Sequence, residues 1–301
     1  MAVKVALAGA TGNLGPAILK ALLDANFHVT VLSREGSTST DSIASHPNQS
    51  IVKVDYTSVS SLTDALQGHA VVVSTLASTA LDTQQPLIDA ALAAGIARFI
   101  PSEFGSDLNN TFNQALPVFG GKMKVQAYLK DLAAKNNGFS YTLIYNNAFF
   151  DWGLNVGFIV DPKEHKATIY DGGDVPFSVT RLSSIGKAVA GVINNLDATK
   201  NRVVYIHDAV VTQNQLIKIF KSVDDKDWET ETKSTQEIAK ASYEELGKPE
   251  PNYGTAMVGF LFSSAFSEKG TPDFRGRVDN KLLGLPELNE EEIKEVLKGF
   301  W

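Results

Sequence analysis

Gly9-Ala10-Thr11-Gly12-Asn13-Leu14-Gly15 stands between an apolar run, Ala2 to Ala8, and a run of helical periodicity that begins at Pro16. A parallel strand covered on both faces reads as an unbroken series of small and branched apolar residues, and Ala2 to Ala8 reads that way. Pro16 suits a first helical turn, where a missing N–H costs nothing, and Ile18, Leu19, Leu22 and Leu23 recur at helical spacing. The stretch is therefore strand, glycine turn, helix. Its glycines let the backbone approach a diphosphate, whose charge would meet the free N–H groups of the helix N-terminus. The spacing Gly-x-x-Gly-x-x-Gly departs from the commoner Gly-x-Gly-x-x-Gly, but the flanking strand and helix supply the context that gives such a motif its meaning. Gly9, Thr11, Gly12, Asn13, Leu14 and Gly15 are accordingly expected to hold a dinucleotide.

Outward from this turn, strands and helices alternate. Strands are expected at Phe27–Leu32, Ile51–Asp55, Ala70–Leu76, Arg98–Pro101 and Ser140–Tyr145, and helices at Leu62–Gln67, Gln85–Ala94 and Lys122–Lys135. Such alternation predicts an α/β fold with a doubly wound parallel sheet, whose ligands sit beyond the carboxyl ends of the strands. The expected division is a dinucleotide-binding domain over 1–155, its sheet completed by about 175–210. A smaller, mostly helical substrate lobe would comprise 156–174 and 211–301. Two short strands are expected around Asp171-Gly172-Gly173, a helix capped by Ser183-Ser184, a late strand at Val203–His207 and a helix capped by Thr212.

Composition narrows the chemistry. The 301 residues hold no cysteine, which removes disulfides and thiolate catalysis, and the five histidines are scattered without metal-ligand spacing, so no metal is expected. A net charge of −7, with acids spread along the chain, argues against nucleic acid as a partner. No apolar run reaches membrane-spanning length, and a soluble, cytoplasmic protein with no membrane partner is expected.

Strand ends supply the candidate site residues. After the second strand comes Ser33-Arg34, where an NAD-selective protein would place an acid; a cation suits the 2′-phosphate of NADP. The serine-rich run from Glu35 to Ser50 reads as a mobile loop beside the adenosine. Ser74-Thr75-Leu76 and Pro101-Ser102-Glu103-Phe104-Gly105 could reach the nicotinamide ribose, and Asn147 and Phe149 follow the sixth strand. A polar insertion, Ser106 to Gln114, reads as a lid. In the next helix Val118, Val125, Leu129 and Leu132 make one stripe with Lys122 at its edge. A desolvated lysine has the lowered pKa that proton transfer or carbonyl polarisation needs, although a snorkelling lysine would look the same in sequence. Phe104, Phe149, Trp152, Met257 and Phe260 are candidates for an apolar substrate pocket. No tyrosine is followed four residues later by lysine, and no Gly-x-Ser-x-Gly elbow occurs.

The glycine turn, Ser33-Arg34, Phe99–Gly105, the lysine helix from Val118 to Lys130 and the segment Tyr141–Phe149 together resemble the isoflavone reductase-like branch of the NmrA-like atypical short-chain reductases. Phenylcoumaran benzylic ether reductases, pinoresinol-lariciresinol reductases and eugenol synthases belong to that branch. The resemblance implies that the first loop holds NADPH, that Ser102 and Phe149 flank the nicotinamide and that Lys122 assists catalysis. The sequence departs from the pattern at Gln126-Ala127, where an arginine pair is usual, and at Tyr145-Asn146, where small serines are common. The expected function is NADPH-dependent reduction of a small aromatic or conjugated carbonyl or quinone-methide-type substrate. The alternatives are an NADP-binding sensor that signals through a protein partner and, more weakly, a sugar-nucleotide epimerase.

Overall fold

The computed structural model describes residues 3–77, 84–224 and 226–300; Ala2, expected within the first strand, lies outside them. Seven strands form one sheet: β1 (Lys4–Ala8), β2 (His28–Arg34), β3 (Gln49–Val54), β4 (Val71–Ser74), β5 (Arg98–Ile100), β6 (Ser140–Tyr145) and β10 (Arg202–Tyr205). The spatial order is β10-β6-β5-β4-β1-β2-β3, and every pairing is parallel. The chain order reverses between β1 and β4, which is the crevice where a doubly wound sheet receives its ligand.

Burial explains the strand sequences. β1, β4 and β6 are covered on both faces, so their residues are apolar or small almost throughout. One face carries α1 (Gly15–Asp24) and α7 (Leu182–Asn194), whose Ile18, Leu22, Ile185 and Val189 pack with Leu7 and Val31. On the other lie α2 (Val59–Leu66), α3 (Gln84–Ala93) and α5 (Gly120–Lys135), with Leu62, Leu87 and Leu129 around Phe99 and Leu143. A third core gathers the remainder around Phe150, Phe177, Phe220 and Phe266.

That remainder holds more strand than expected. β7 (Ala148–Phe149), β9 (Phe177–Thr180) and β11 (Ala209–Val211) form a small sheet, and β8 (Lys166–Tyr170) pairs in parallel with β12 (Glu229–Lys233). The strands on either side of Asp171-Gly172-Gly173 thus enter different sheets. β12 escapes a reading by periodicity because all five of its residues are exposed, leaving no apolar alternation to detect. Its helices include α6 (Phe150–Asn155), α8 (Gln213–Asp224), α9 (Thr235–Leu246), α10 (Tyr253–Phe266) and α12 (Glu290–Leu297). Thr212 caps α8 as expected, its Oγ1 accepting from the N–H of Gln215 at 3.0 Å. Ser183-Ser184 do not cap α7. They lie inside it, and the Asp151 carboxylate from α6 accepts the N–H of Leu182 at 3.1 Å instead.

Candidate active site

The turn after β1 is held from both sides by backbone. Gly9 has φ +86°, and a Cβ on Gly15 would sit 2.2 Å from the Gly9 carbonyl oxygen, so neither position admits a side chain. Gly12 differs: a Cβ there would meet nothing nearer than the Gly9 oxygen at 3.5 Å. Packing does not require glycine at 12, whereas close approach of a diphosphate to the backbone does. Beyond it α1 opens at Gly15; Pro16 has no N–H to offer, and the Ala17 N–H already donates to the Leu14 oxygen at 3.1 Å. Thr75, at the end of β4, ties the turn in place by donating to the Ala8 and Gly9 oxygens, each at 2.9 Å.

A cavity of about 550 Å³ runs from this turn along the strand ends. It collects Gly9, Thr11, Gly12, Asn13, Leu14, Ser33, Arg34, Thr75, Leu76, Ser102, Glu103, Phe104, Lys122 and Phe149 from widely separated parts of the chain. Gly15 lies behind the turn. Ser74 is fully buried at the end of β4, its hydroxyl without a partner among the described residues. Asn147, at φ +49°, turns its side chain to the Ser178 oxygen at 3.0 Å. Trp152 stands behind Phe149, edge to face at 6.2 Å between centroids. Met257 and Phe260 are not among the lining residues. Both pack into the core beneath α10, where Phe260 is fully buried and meets Tyr243 at 4.7 Å. Aromatic residues at helical spacing gave no means of separating a pocket wall from core.

At the Arg34 end the serine-rich loop is tied down. Thr40 is buried on the Ser33 hydroxyl at 3.2 Å, and Lys53, opposite Ser33 on β3, donates to the Ser33 hydroxyl at 3.1 Å and to the Ser37 carbonyl. Ser37, Ser39, Thr40 and Tyr56 line the cavity beside Arg34. Sequence reading passed over Lys53, although strand pairing brings it level with Ser33.

At the other end Lys122 stands in the first turn of α5, half-buried, its ammonium donating to the backbone oxygen of Glu103. Burial lowers its pKa, and the Glu103 carboxylate opposes that shift. Val118 belongs to a separate 3₁₀ turn, Pro117–Phe119; the buried face of α5 is Val125, Gln126 and Leu129. Gln126, one turn beyond Lys122, donates to Glu103 Oε2 and to the Tyr145 hydroxyl, each at 3.0 Å. Burial pushes the Glu103 carboxyl up to about 7 against the pull of Lys122. Ser102 is positioned by its hydroxyl on the Leu76 oxygen at 2.8 Å and its N–H on Gln84 at 3.0 Å.

The Ser106–Gln114 segment is a clasp rather than a lid. Asn113 is buried, donating to the Asp107 and Gly270 oxygens and accepting from Ser264, while Asp107 pairs with Arg277 at 2.7 Å. Polar side chains there serve buried backbone groups, a demand that sequence alone does not distinguish from solvent exposure.

The model of the NmrA-like family matches residues 1–259. The chain belongs to the NmrA-like family. It is 31% identical over 303 residues to oxidoreductase aprR of Aspergillus flavus, covering 99% of this chain and 100% of that one. It is 27% identical to phenylcoumaran benzylic ether reductase PT1 of Pinus taeda, covering 79% and 80% of the two chains. Among solved structures, AtPrR2 with NADP⁺ and (+)pinoresinol superposes with a TM-score of 0.80 at 23% identity, over 100% of this chain and 99% of that one. The leucoanthocyanidin reductase–NADPH complex of Vitis vinifera gives 0.77 at 22%, over 99% of each. The NmrA-like protein thus shares the fold of reductases solved with NADP⁺ or NADPH. Among its described residues no group of histidines and acids is arranged to hold a metal, and no helix is long and apolar enough to cross a membrane.

Proposed function

We propose that this NmrA-like protein is an NADPH-dependent oxidoreductase that reduces a small aromatic or conjugated carbonyl or quinone-methide-type compound, with Lys122 as proton donor or oxygen polariser. One observation carries the reading: a single cavity joins the glycine turn, the Arg34 cation and the Lys122 ammonium. The names of relatives that span nearly the whole chain or most of it, an oxidoreductase and a benzylic ether reductase, support it.

The residues fit the cofactor. Gly12 leaves the backbone open to a diphosphate at the N-terminal end of α1, and Arg34 with Lys53 offers positive charge for a 2′-phosphate. NADPH, when bound, supplies the hydride. The protein's part is to bind, to exclude water and to manage one proton. Phe104 and Phe149 give the cavity apolar surface, lowering its local dielectric. In that setting the Lys122 ammonium can stabilise negative charge developing on a substrate oxygen or transfer its proton there, and its lowered pKa favours the transfer.

NADPH oxidation against a panel of quinones, enones and phenolic ethers tests the assignment. Lys122→Ala should bind NADPH like the parent yet turn over about 10²- to 10⁴-fold more slowly. A Lys122→Ala protein with undiminished turnover would remove the mechanism, and a parent protein that binds NADPH but oxidises it with no member of the panel would favour a sensor.

A further inference from the structure

The carboxyl group of Glu103 has no part in the mechanism above, and its surroundings are unusual. It is 2% exposed, at the carboxyl end of β5, on the wall of the cavity. Gln126 satisfies Oε2 at 3.0 Å, while Oε1, equally buried, has no hydrogen-bond partner among the described residues. The same Gln126 amide nitrogen bonds the Tyr145 hydroxyl, so the one hydrogen-bond partner of the carboxyl among the described residues is a neutral amide shared with a neutral phenol. Its nearest electrostatic influence is Lys122, whose ammonium is anchored on the backbone oxygen of that same residue. Lys130, further along α5, bears on it less. From β6 and β10 the groups on that side are Tyr145, fully buried, and behind it Tyr205, whose hydroxyl donates to Asp107 of the Ser106–Gln114 segment, already paired to Arg277.

A buried carboxylate next to a neutral amide has little to hold its charge except a nearby cation, and a half-buried ammonium has little to hold its proton except a nearby anion. The Lys122 ammonium sits on the backbone oxygen of Glu103 itself, so the two charges are close neighbours and the state of one bears on the other. We propose that Glu103 is a positioning residue acting through Lys122: its carboxylate is the counter-charge that keeps the Lys122 amine protonated at the cavity wall, and Gln126 leaves that carboxylate free to gain and lose a proton. The inference deepens the role given to Lys122 and rests on that reading. A guanidinium at position 126 would hold the carboxylate ionised permanently; glutamine does not, so the charge on Glu103 can follow the pH around neutrality and pass the change to Lys122.

Lys122 can be titrated without cofactor or substrate. The full-length protein is pulsed with a trace of acetic anhydride across a pH series, and acetylation of Lys122 is read by peptide mass spectrometry against an exposed lysine such as Lys20. In the parent the Lys122 profile should carry a shoulder near neutral pH, where Glu103 takes up its proton. Glu103→Gln, which keeps the shape and the contact to Gln126, should abolish the shoulder and move the Lys122 midpoint down by about one pH unit or more. Glu103→Asp, which retains a carboxylate, should bring the midpoint back toward the parent. Gln126→Arg should shift the shoulder to lower pH. Superimposable profiles for the parent and Glu103→Gln would overturn the proposal; should that variant not fold, a Gln126→Arg shoulder unmoved from the parent's would do the same. Because no turnover is measured, either negative result leaves the reductase reading standing.

Discussion

The two ends of the cavity use the same ingredients, a cation with hydroxyl and amide partners, in opposite surroundings. At the adenosine end Arg34 and Lys53 are exposed, and Lys53 is held by three oxygens of the turn and loop around it. At the proposed reacting end Lys122 is half-buried and Glu103 is drawn out of water, and one carboxylate oxygen is left without a partner among the described residues. Exposed charges are screened and redundant, so they favour an anionic ligand without disturbing the fold. Charges drawn out of water are coupled to one another and to folding, so they can be tuned but exact a stability penalty. Exposed charges of the first kind suit ligand selectivity, and buried ones of the second suit proton chemistry.

The largest expected effect that separates the ends concerns stability against pH. The Glu103 carboxyl stands at about 7 in the folded protein against 4.5 for the free side chain. The folded state therefore binds the extra proton, and this contribution is fully present below the unfolded value and is lost as pH rises through the folded one. It amounts to on the order of 3 kcal/mol. Urea denaturation of the parent and Glu103→Gln over that window should show the parent losing stability relative to the variant as pH rises. Parallel curves would mean that the buried end is no more coupled to folding than the exposed one.

An intermediate effect is expected at Arg34. Arg34→Asp should reduce the preference for NADPH over NADH roughly thirtyfold, a value in keeping with loss of one charge-assisted contact, while the melting temperature stays put. An unchanged preference would take the 2′-phosphate away from this end. Lys53→Met should weaken NADPH binding least, roughly threefold at low salt and not measurably at 0.5 M salt, as the screening length shortens. A salt-independent loss would place Lys53 in structure rather than in ligand attraction.

How much of this was legible can be argued from particular residues. The glycine turn, the parallel strands and α5, read at Lys122–Lys135 and found at Gly120–Lys135, depend on local signals: apolar period, caps and breakers within a few residues. The half-buried placement of Lys122 was legible for the same reason, although Val118, read as part of its stripe, belongs to a separate turn. Gln126 was noticed only as a departure from a family pattern, because its partners, Glu103 and Tyr145, lie 23 and 19 residues away. Met257 and Phe260 read as pocket residues, yet neither lines the cavity: Phe260 is fully buried and Met257 packs half-buried against the same core, since hydrophobicity does not say which empty space a side chain adjoins.

By itself, then, the order of residues determined the elements, their parallel alternation and the glycine turn between β1 and α1, since each rests on steric and hydrogen-bonding preferences within one or two turns of chain. Tertiary structure alone decided that Lys53 stands beside Ser33, that the Ser106–Gln114 segment is a clasp and that Glu103 is buried against Lys122 on neutral partners. Those outcomes depend on dielectric surroundings and contacts that exist only once distant segments have packed together.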